Sequence, residues 1–470
     1  MVSNKSEDIA NDYDNLDRYQ DVLGQLCMLQ VYSHVLYFFP MPEGVTPQQI
    51  VQSLETAVSK VRREIPWMGA RIINEGRREG SSGIYKVVPC PQQPRQAVDV
   101  GFLLNNEAVA DYDEFRRLQA PQSITPTAML IPVPAFPQRM EVDSDDQPAH
   151  VVRVQVNFIP RGVIIDFAIA HNVADAGGHF GLVKLIACAM RGEEFPRPMI
   201  EAANKDRRNV ITLLHPDEPL LDHSRHYRRC LSIKAPLAPE APSDPARYHV
   251  FRFSPANMAK IKAIATQPGG FDPDLPFIST DDALCAFIWK HFISARSKRH
   301  SPCTRSRFGR QMDGRKLVGL SPDYMGEMAH NMEAVLTFKE LTQSPLSTIA
   351  SHLRKCLNQA NTLYHLRSFA TFIDREPDKS TITYAGEFNP NTDVGCSSIR
   401  GLQGVFPNFG KFLGTPEFIR RPPSIPFPST VVLFPGSPLG DCDAVACLTD
   451  EDFKVLNACS DWTEHVEHIG

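Results

Sequence analysis

Val163-Ile164-Ile165-Asp166-Phe167-Ala168-Ile169-Ala170-His171-Asn172-Val173-Ala174-Asp175-Ala176-Gly177-Gly178 is the stretch on which the reading of this chain turns. Its first eight residues form a nearly continuous apolar run, which predicts a strand. Upstream, Val152, Val154, Val156 and Phe158 alternate with polar residues, and Pro160-Arg161-Gly162 supplies a turn. Downstream, Phe180, Val183, Ile186, Ala187 and Met190 mark an amphipathic helix from His179. The order is strand, turn, strand, loop, helix. His171 stands where the strand ends, and the glycines after it would let an imidazole project into a cleft. Imidazole titrates near neutral pH and is the commonest general base. Spacing alone leaves two other roles open: a hydrogen-bonded core histidine, or a metal ligand with Asp175 and His179, for which no further ligands cluster nearby.

Working outward, similar layers recur. Leu26 to Phe39 reads as a buried strand ending at Pro40, and Ile50, Leu54, Val58 and Val61 give a helical stripe between Pro47 and Arg63. Gly69 to Pro89 has the pattern of a hairpin, and Pro89 to Gln147 reads as loops with short elements. Arg191 to Arg247 is rich in proline and charge, lacks a core pattern, and is expected to be a crossover whose basic patch, Arg225 to Arg229, is solvated. The second half opens with a strand at Tyr248 to Phe253 and a helix from Pro255 to Thr266, with Ser254 as N-cap. Ser279-Thr280-Asp281-Asp282 caps a helix through Ala295. Strands at Thr430 to Phe434 and Asp443 to Leu448 precede a helix from Asp450. The expected fold class is α/β, with α+β layers in two domains: residues 1–200, a linker at 201–247, and 248–470.

A chain of 470 residues exceeds what one core usually organises, so two domains are the natural division. Its 42% apolar and 22% charged residues are ordinary globular usage. Net charge is −5 with no long basic stripe, which argues against a nucleic-acid partner. Met1 to Asp17 lacks the basic and apolar regions of a signal peptide, and no apolar run reaches 18 residues, so neither secretion nor a membrane span is expected. The eleven cysteines form no C-x-x-C pair, consistent with a reducing, cytoplasmic setting and with no zinc site.

The octet His171 to Gly178 resembles the H-x-x-x-D-G motif of the BAHD acyltransferases, a coenzyme A-dependent family with a chloramphenicol-acetyltransferase-like fold; here Ala176 replaces the glycine after the aspartate. Within that family the chain is similar to the fungal trichothecene 3-O-acetyltransferase group. The likeness runs through Asp21-Val22-Leu23-Gly24-Gln25, Phe277 to Leu284, Met312-Asp313-Gly314-Arg315 and Pro377-Asp378-Lys379-Ser380 to Gly414-Thr415-Pro416-Glu417, Arg420-Arg421-Pro422 and the final Ile469-Gly470. The second family signature, D-F-G-W-G, stands here as Asn408-Phe409-Gly410-Lys411-Phe412, which keeps an acceptor but loses the charge.

The resemblance implies an acyltransferase of two chloramphenicol-acetyltransferase-like domains. It would move an acyl group, acetyl above all, from acyl-CoA to a hydroxyl of a small hydrophobic secondary metabolite such as a terpenoid, meroterpenoid or alkaloid. His171 matches the base that takes the hydroxyl proton and returns it to the departing thiolate. Asp175 matches an aspartate that pairs with an arginine, here Arg315, and so supports the site together with Gly177 and Gly178; a triad-like role, orienting His171, is the physical alternative. Lys262 matches a CoA phosphate contact, although it also reads as an exposed helix lysine. Ser279, Thr280 and Asp282 match a stretch near the CoA channel, and N-capping explains them as well. A monomer without metal is expected. The competing activity is isomerase, lyase or cyclase chemistry by His171 without CoA.

Overall fold

The computed structural model describes residues 16–90, 98–140, 142–144, 146–227, 245–383 and 386–470. The first half contributes β1 (Tyr32–Pro40), α1 (Pro47–Glu64), β2 (Arg71–Glu75), β3 (Ile84–Val88), β4 (Asp99–Phe102), β5 (Val152–Ile159), β6 (Gly162–Ala170) and α2 (Ala176–Met190). The second contributes β7 (Ala246–Phe253), α3 (Pro255–Ala265), α4 (Thr280–Arg296), β8 (Arg305–Asp313), β9 (Ala329–Thr337), α5 (Leu346–Ala360) and α6 (Leu363–Arg375). It continues through β10 (Val394–Ser398), β11 (Phe418–Arg420), β12 (Thr430–Pro435), β13 (Cys442–Thr449) and β14 (Glu467–His468), with shorter helical turns between.

Two mixed sheets organise the molecule. One has the order β11-β1-β6-β5-β4, the other β14-β7-β13-β12-β10-β8-β9, and β2 pairs β3 in a separate hairpin. The fold is thus mixed α/β, with helices flanking both sheets. In the first sheet β6 is central, antiparallel to β1 from Tyr32↔Ala170 to Pro40↔Gly162 and to β5 on its other side. Two neighbours on a sheet covered on both faces account for its apolar run: every residue from Gly162 to Ala170 is buried. Helix α1 starts at a capping box between Thr46 and Gln49, and its stripe Ile50, Leu54, Val58 and Val61 enters the first core beside α2. Helix α4 starts at the Ser279–Asp282 capping box and runs through the centre of the second core.

Several expectations need correction. The first strand begins at Tyr32, not Leu26, because Leu23–Gln25 and Cys27–Leu29 form tight helical turns. Gln25 exchanges two bonds with the Tyr85 backbone and Gln30 accepts from the Tyr85 hydroxyl, so Leu26 and Leu29 turn into a third core with Leu366 and Phe369 of α6. Helix α2 begins at Ala176, since Asp175 caps it by accepting from Gly178 N–H at 3.0 Å, and it is buried on nearly every side instead of being amphipathic. The crossover is not devoid of core: Arg197–Ala203 is helical and buries Met199, Ile200 and Ala203. Nor is its basic patch simply solvated. Arg225 is ion-paired with Glu333 and His226 is buried, while Arg228 and Arg229 lie outside the described residues. Finally, β11 joins the sheet of the first half, pairing with β1 at Leu36↔Arg420, so the chain crosses back after residue 398.

Candidate active site

Residues from both sheets enclose a cavity of about 980 Å³. Its walls include Ser33 and His34 of β1, Gly309 and Gln311 of β8, Ser397 and Ser398 of β10, His171 just past the end of β6 and Gly177 in the first turn of α2. The His171 backbone N–H donates to Val31 O at 2.8 Å, which anchors the strand end beside β1. Its ring is 27% exposed, toward this cavity, while Nδ1 lies 3.0 Å from Oε2 of the fully buried Glu327. The other Glu327 oxygen accepts from Ala329 N–H at 2.8 Å. Ala329 N–H already donates to one Glu327 oxygen, and an ionised carboxylate can only accept, so with Glu327 ionised the proton sits on Nδ1. Nε2 is then the basic atom, and it makes no hydrogen bond to any described residue. Burial disfavours charge on the imidazole, but the bond to Glu327 and its charge outweigh that, holding His171 above its ordinary value.

Glu327 is itself held. Its N–H donates to Asp21 Oδ2 at 3.0 Å, and Asp21 Oδ1 accepts from Gly24 N–H at 2.8 Å. Burial pushes the Asp21 carboxyl up to about 7. A Cβ on Gly24 would lie 2.3 Å from Asn172 O, so glycine is required where this turn meets the loop after His171.

Asp175 faces Arg315, not His171. Its oxygens accept from Arg315 Nη1 at 2.8 Å and Nη2 at 2.6 Å, from Gly178 N–H at 3.0 Å and from Met328 N–H at 3.1 Å. Burial raises the Asp175 pKa, but the guanidinium and these bonds together carry it below the ordinary carboxylate value. Arg315 also donates to Tyr324 O at 2.9 Å and to Asp313 Oδ1 at 2.9 Å. A Cβ on Gly177 would lie 3.0 Å from Arg315 Nη2, and one on Gly178 2.2 Å from Met325 O. The glycines therefore admit the Tyr324–Met328 segment against α2, more than they clear a path for the imidazole.

The cofactor candidates are placed elsewhere. Lys262 is exposed on the last turn of α3, and neither it nor Ser279, Thr280 or Asp282 lines the cavity. The Asp282 carboxylate is occupied by Ser279, by Arg310 Nη1 at 2.8 Å and by Arg354, which makes it an internal counter-ion with no capacity left for a ligand. Asn408 accepts from Gly410 N–H at 2.7 Å and its backbone oxygen from Arg191 at 2.5 Å, so the amide keeps this turn closed without a charge. Among the described residues no group of three or more His, Cys, Asp or Glu could hold a metal ion. His179, set beside His171 in the sequence, is buried in α2 and held down at about 3 by that burial.

Sequence reasoning missed Glu327 and the His34–Asp166 pair, whose Nδ1–Oδ2 distance is 2.8 Å. Each carboxylate had one visible signal, an acid among apolar neighbours: Asp166 inside the strand run and Glu327 within Tyr324-Met325-Gly326-Glu327-Met328.

Comparison with known proteins places the chain in a family. Residues 31–190 match the family described as the trichothecene 3-O-acetyltransferase-like N-terminal domain. The O-acetyltransferase epaC of Aspergillus niger is 50% identical over 98% of this chain and 98% of its own. The O-acyltransferase pigD of Monascus ruber is 39% identical over 96% of this chain and 99% of its own. The crystal structure of the Fusarium sporotrichioides trichothecene 3-O-acetyltransferase, complexed with coenzyme A and T-2, superposes with a TM-score of 0.86 at 28% identity, covering 96% of this chain and 99% of that one. No helix of the described residues is long and apolar enough to cross a membrane. The chain belongs to the trichothecene 3-O-acetyltransferase-like family of BAHD-type O-acyltransferases.

Proposed function

We propose that this enzyme transfers an acetyl group from acetyl-CoA to a hydroxyl of a small hydrophobic secondary metabolite, with His171 as general base. The observation that carries the proposal is the His171–Glu327 pair at the cavity wall: Nδ1 lies 3.0 Å from a buried carboxylate that, when ionised, keeps the proton on Nδ1 and leaves Nε2 as the basic atom. A hydroxyl within hydrogen-bond reach of Nε2 loses its proton as its oxygen bonds to the thioester carbonyl carbon. The C–S bond then breaks and the imidazolium returns the proton to sulfur, leaving ester and free thiol. Asp175, fully engaged with Arg315, acts here as a brace and not as a triad member. Lys262, free at the surface, remains the candidate for a CoA phosphate outside the cavity. A volume of about 980 Å³ is at the upper end of small-molecule sites, room for an acceptor together with the reactive end of a donor.

The test is direct: incubation with acetyl-CoA and a panel of terpenoid, polyketide and alkaloid alcohols, following thiol release and a product heavier by one acetyl group. His171→Ala should lower turnover by at least ~10²-fold. Turnover that persists in His171→Ala would remove the base from the mechanism, and a product of unchanged mass formed without CoA would point to isomerase or cyclase chemistry.

A further inference from the structure

Four arginines line the cavity: Arg305, Arg307, Arg315 and Arg421. Three are accounted for. Arg305 is exposed to water, Arg307 Nε lies 3.0 Å from Glu333 Oε2, and Arg315 is locked to Asp175 and Asp313. Arg421 differs. Its guanidinium makes no ion pair or hydrogen bond with any described residue, and its central carbon sits 4.9 Å above the Phe136 ring. The neighbouring Arg420 shows what a structural arginine looks like at this point of the chain. It donates to Ala120 O at 2.8 Å and Gln119 O at 2.6 Å and pairs with Asp443 at 3.0 Å.

The ring under Arg421 belongs to an aromatic run. Phe136 meets Phe427 edge-on at 5.6 Å, and Phe427 stacks on Phe388 at 6.0 Å and 10°, three rings along one stretch of cavity wall. Burial pulls the guanidinium below its ordinary value, and the Tyr248 hydroxyl opposes it. A partly desolvated cation with no counter-ion among the described residues is unfavourable, and a cation–π contact offsets only part of that. An incoming anion completes the balance, and the guanidinium fork matches carboxylate and phosphate oxygens two at a time. Arg421 follows Arg420, whose partner on β1 is Leu36, whereas His171 is bonded to Val31. Four to five residues of strand separate the two, on the order of 15 Å, so Arg421 would bind a distant part of a ligand and not the reacting carbonyl.

From these observations we propose that Arg421, with the Phe136–Phe427–Phe388 wall, is an oxyanion subsite of the cavity that anchors an anionic group carried by one of the two substrates. The proposal rests on the acyl-transfer reading for the identity of those substrates: the anion is either a phosphate of CoA or a carboxylate of the acceptor.

The experiment compares wild type, Arg421→Ala and Arg421→Lys as full chains. Calorimetric titration with CoA and with pantetheine, which lacks the phosphates, forms one arm. Acetylation of 4-(hydroxymethyl)benzoate and of its uncharged methyl ester forms the other, with ligand-induced thermal shifts recorded for both alcohols. If the anion is a phosphate, Arg421→Ala weakens CoA binding on the order of tenfold to a hundredfold and leaves pantetheine unchanged. If it is a carboxylate, CoA binding is unchanged and the preference for the benzoate over its ester falls by a similar factor. In either case Arg421→Lys, which keeps charge but not the fork, recovers part of the loss and shows that the variants fold. Unchanged ratios in both arms overturn the proposal. A wild type that binds no CoA and forms no ester refutes the acyl-transfer reading instead, and the thermal shifts with the two alcohols still judge Arg421.

Discussion

Glu327→Gln is the sharpest perturbation of the site, because glutamine keeps the shape of the side chain and changes which atoms can accept. The native carboxylate serves two donors at once, Ala329 N–H through Oε1 and His171 Nδ1–H through Oε2. An amide has one oxygen, so one donor must lose its acceptor. The backbone N–H cannot change character, and leaving it unpaired in the interior costs about 1–3 kcal/mol. The imidazole can adapt by moving its proton. The amide oxygen is therefore expected to stay on Ala329 while the NH₂ group faces Nδ1, which forces the proton onto Nε2 and removes the basic atom from the cavity. General-base catalysis contributes typically ~10²–10⁴-fold, so kcat should fall by that order with little change in KM for either substrate. The pH profile carries a second signature. Activity needs neutral His171, and Glu327 raises its pKa, so the acid limb of the residual kcat/KM profile should move to lower pH in the variant. Steady-state kinetics between pH 5 and 9, with circular dichroism to confirm folding, reads both effects. A folded Glu327→Gln enzyme with more than half the native kcat and an unmoved acid limb would refute the tautomer argument.

Two further outcomes follow from other parts of the structure. Asp175→Asn leaves the buried Arg315 guanidinium without its main counter-charge, and breaking such a pair typically costs ~3–5 kcal/mol; urea denaturation should show a loss of that size, and an unchanged midpoint would mean the pair is not a brace. The second concerns acid stability. Burial holds His223 down at about 4 and His226 and His330 at about 3. The unfolded chain takes up these protons below about 6.5 while the folded state does not, so the stability they contribute is complete above that pH and falls as pH drops toward 4, by up to ~1.4 kcal/mol per unit for each histidine. Thermal unfolding should therefore lie clearly lower at pH 5 than at pH 7.5, with His330→Leu reducing the difference; equal melting temperatures would contradict the assignment of these rings as buried and neutral.

Local sequence determined most of the elements, because the signals that define them act over a few residues. The apolar run Val163 to Ala170, the stripe of α1, and the caps Ser254 and Ser279 are each legible from neighbours in the chain, and each appears where expected. His171 was legible for the same reason, a polar ring at the end of an apolar strand. What surrounds it was decided by contacts that sequence spacing does not encode. Glu327 reaches His171 across 156 positions with no signal for the pairing, and the Asp175–Arg315 pair, 140 positions apart, was expected only through the family resemblance. Strand β11 returns to the first sheet, bringing Arg420 to Asp443 and Arg421 to the cavity wall, although the two arginines are adjacent and chemically alike. Leu26 and Leu29 had the composition of a strand and became turns, because the Tyr85 backbone and a third core beside α6 offered better partners than an extended ladder. Hydrophobic patterning specifies which side of an element is buried, but the partner that buries it, and the counter-charge that a buried acid or base receives, exist only once distant segments are packed.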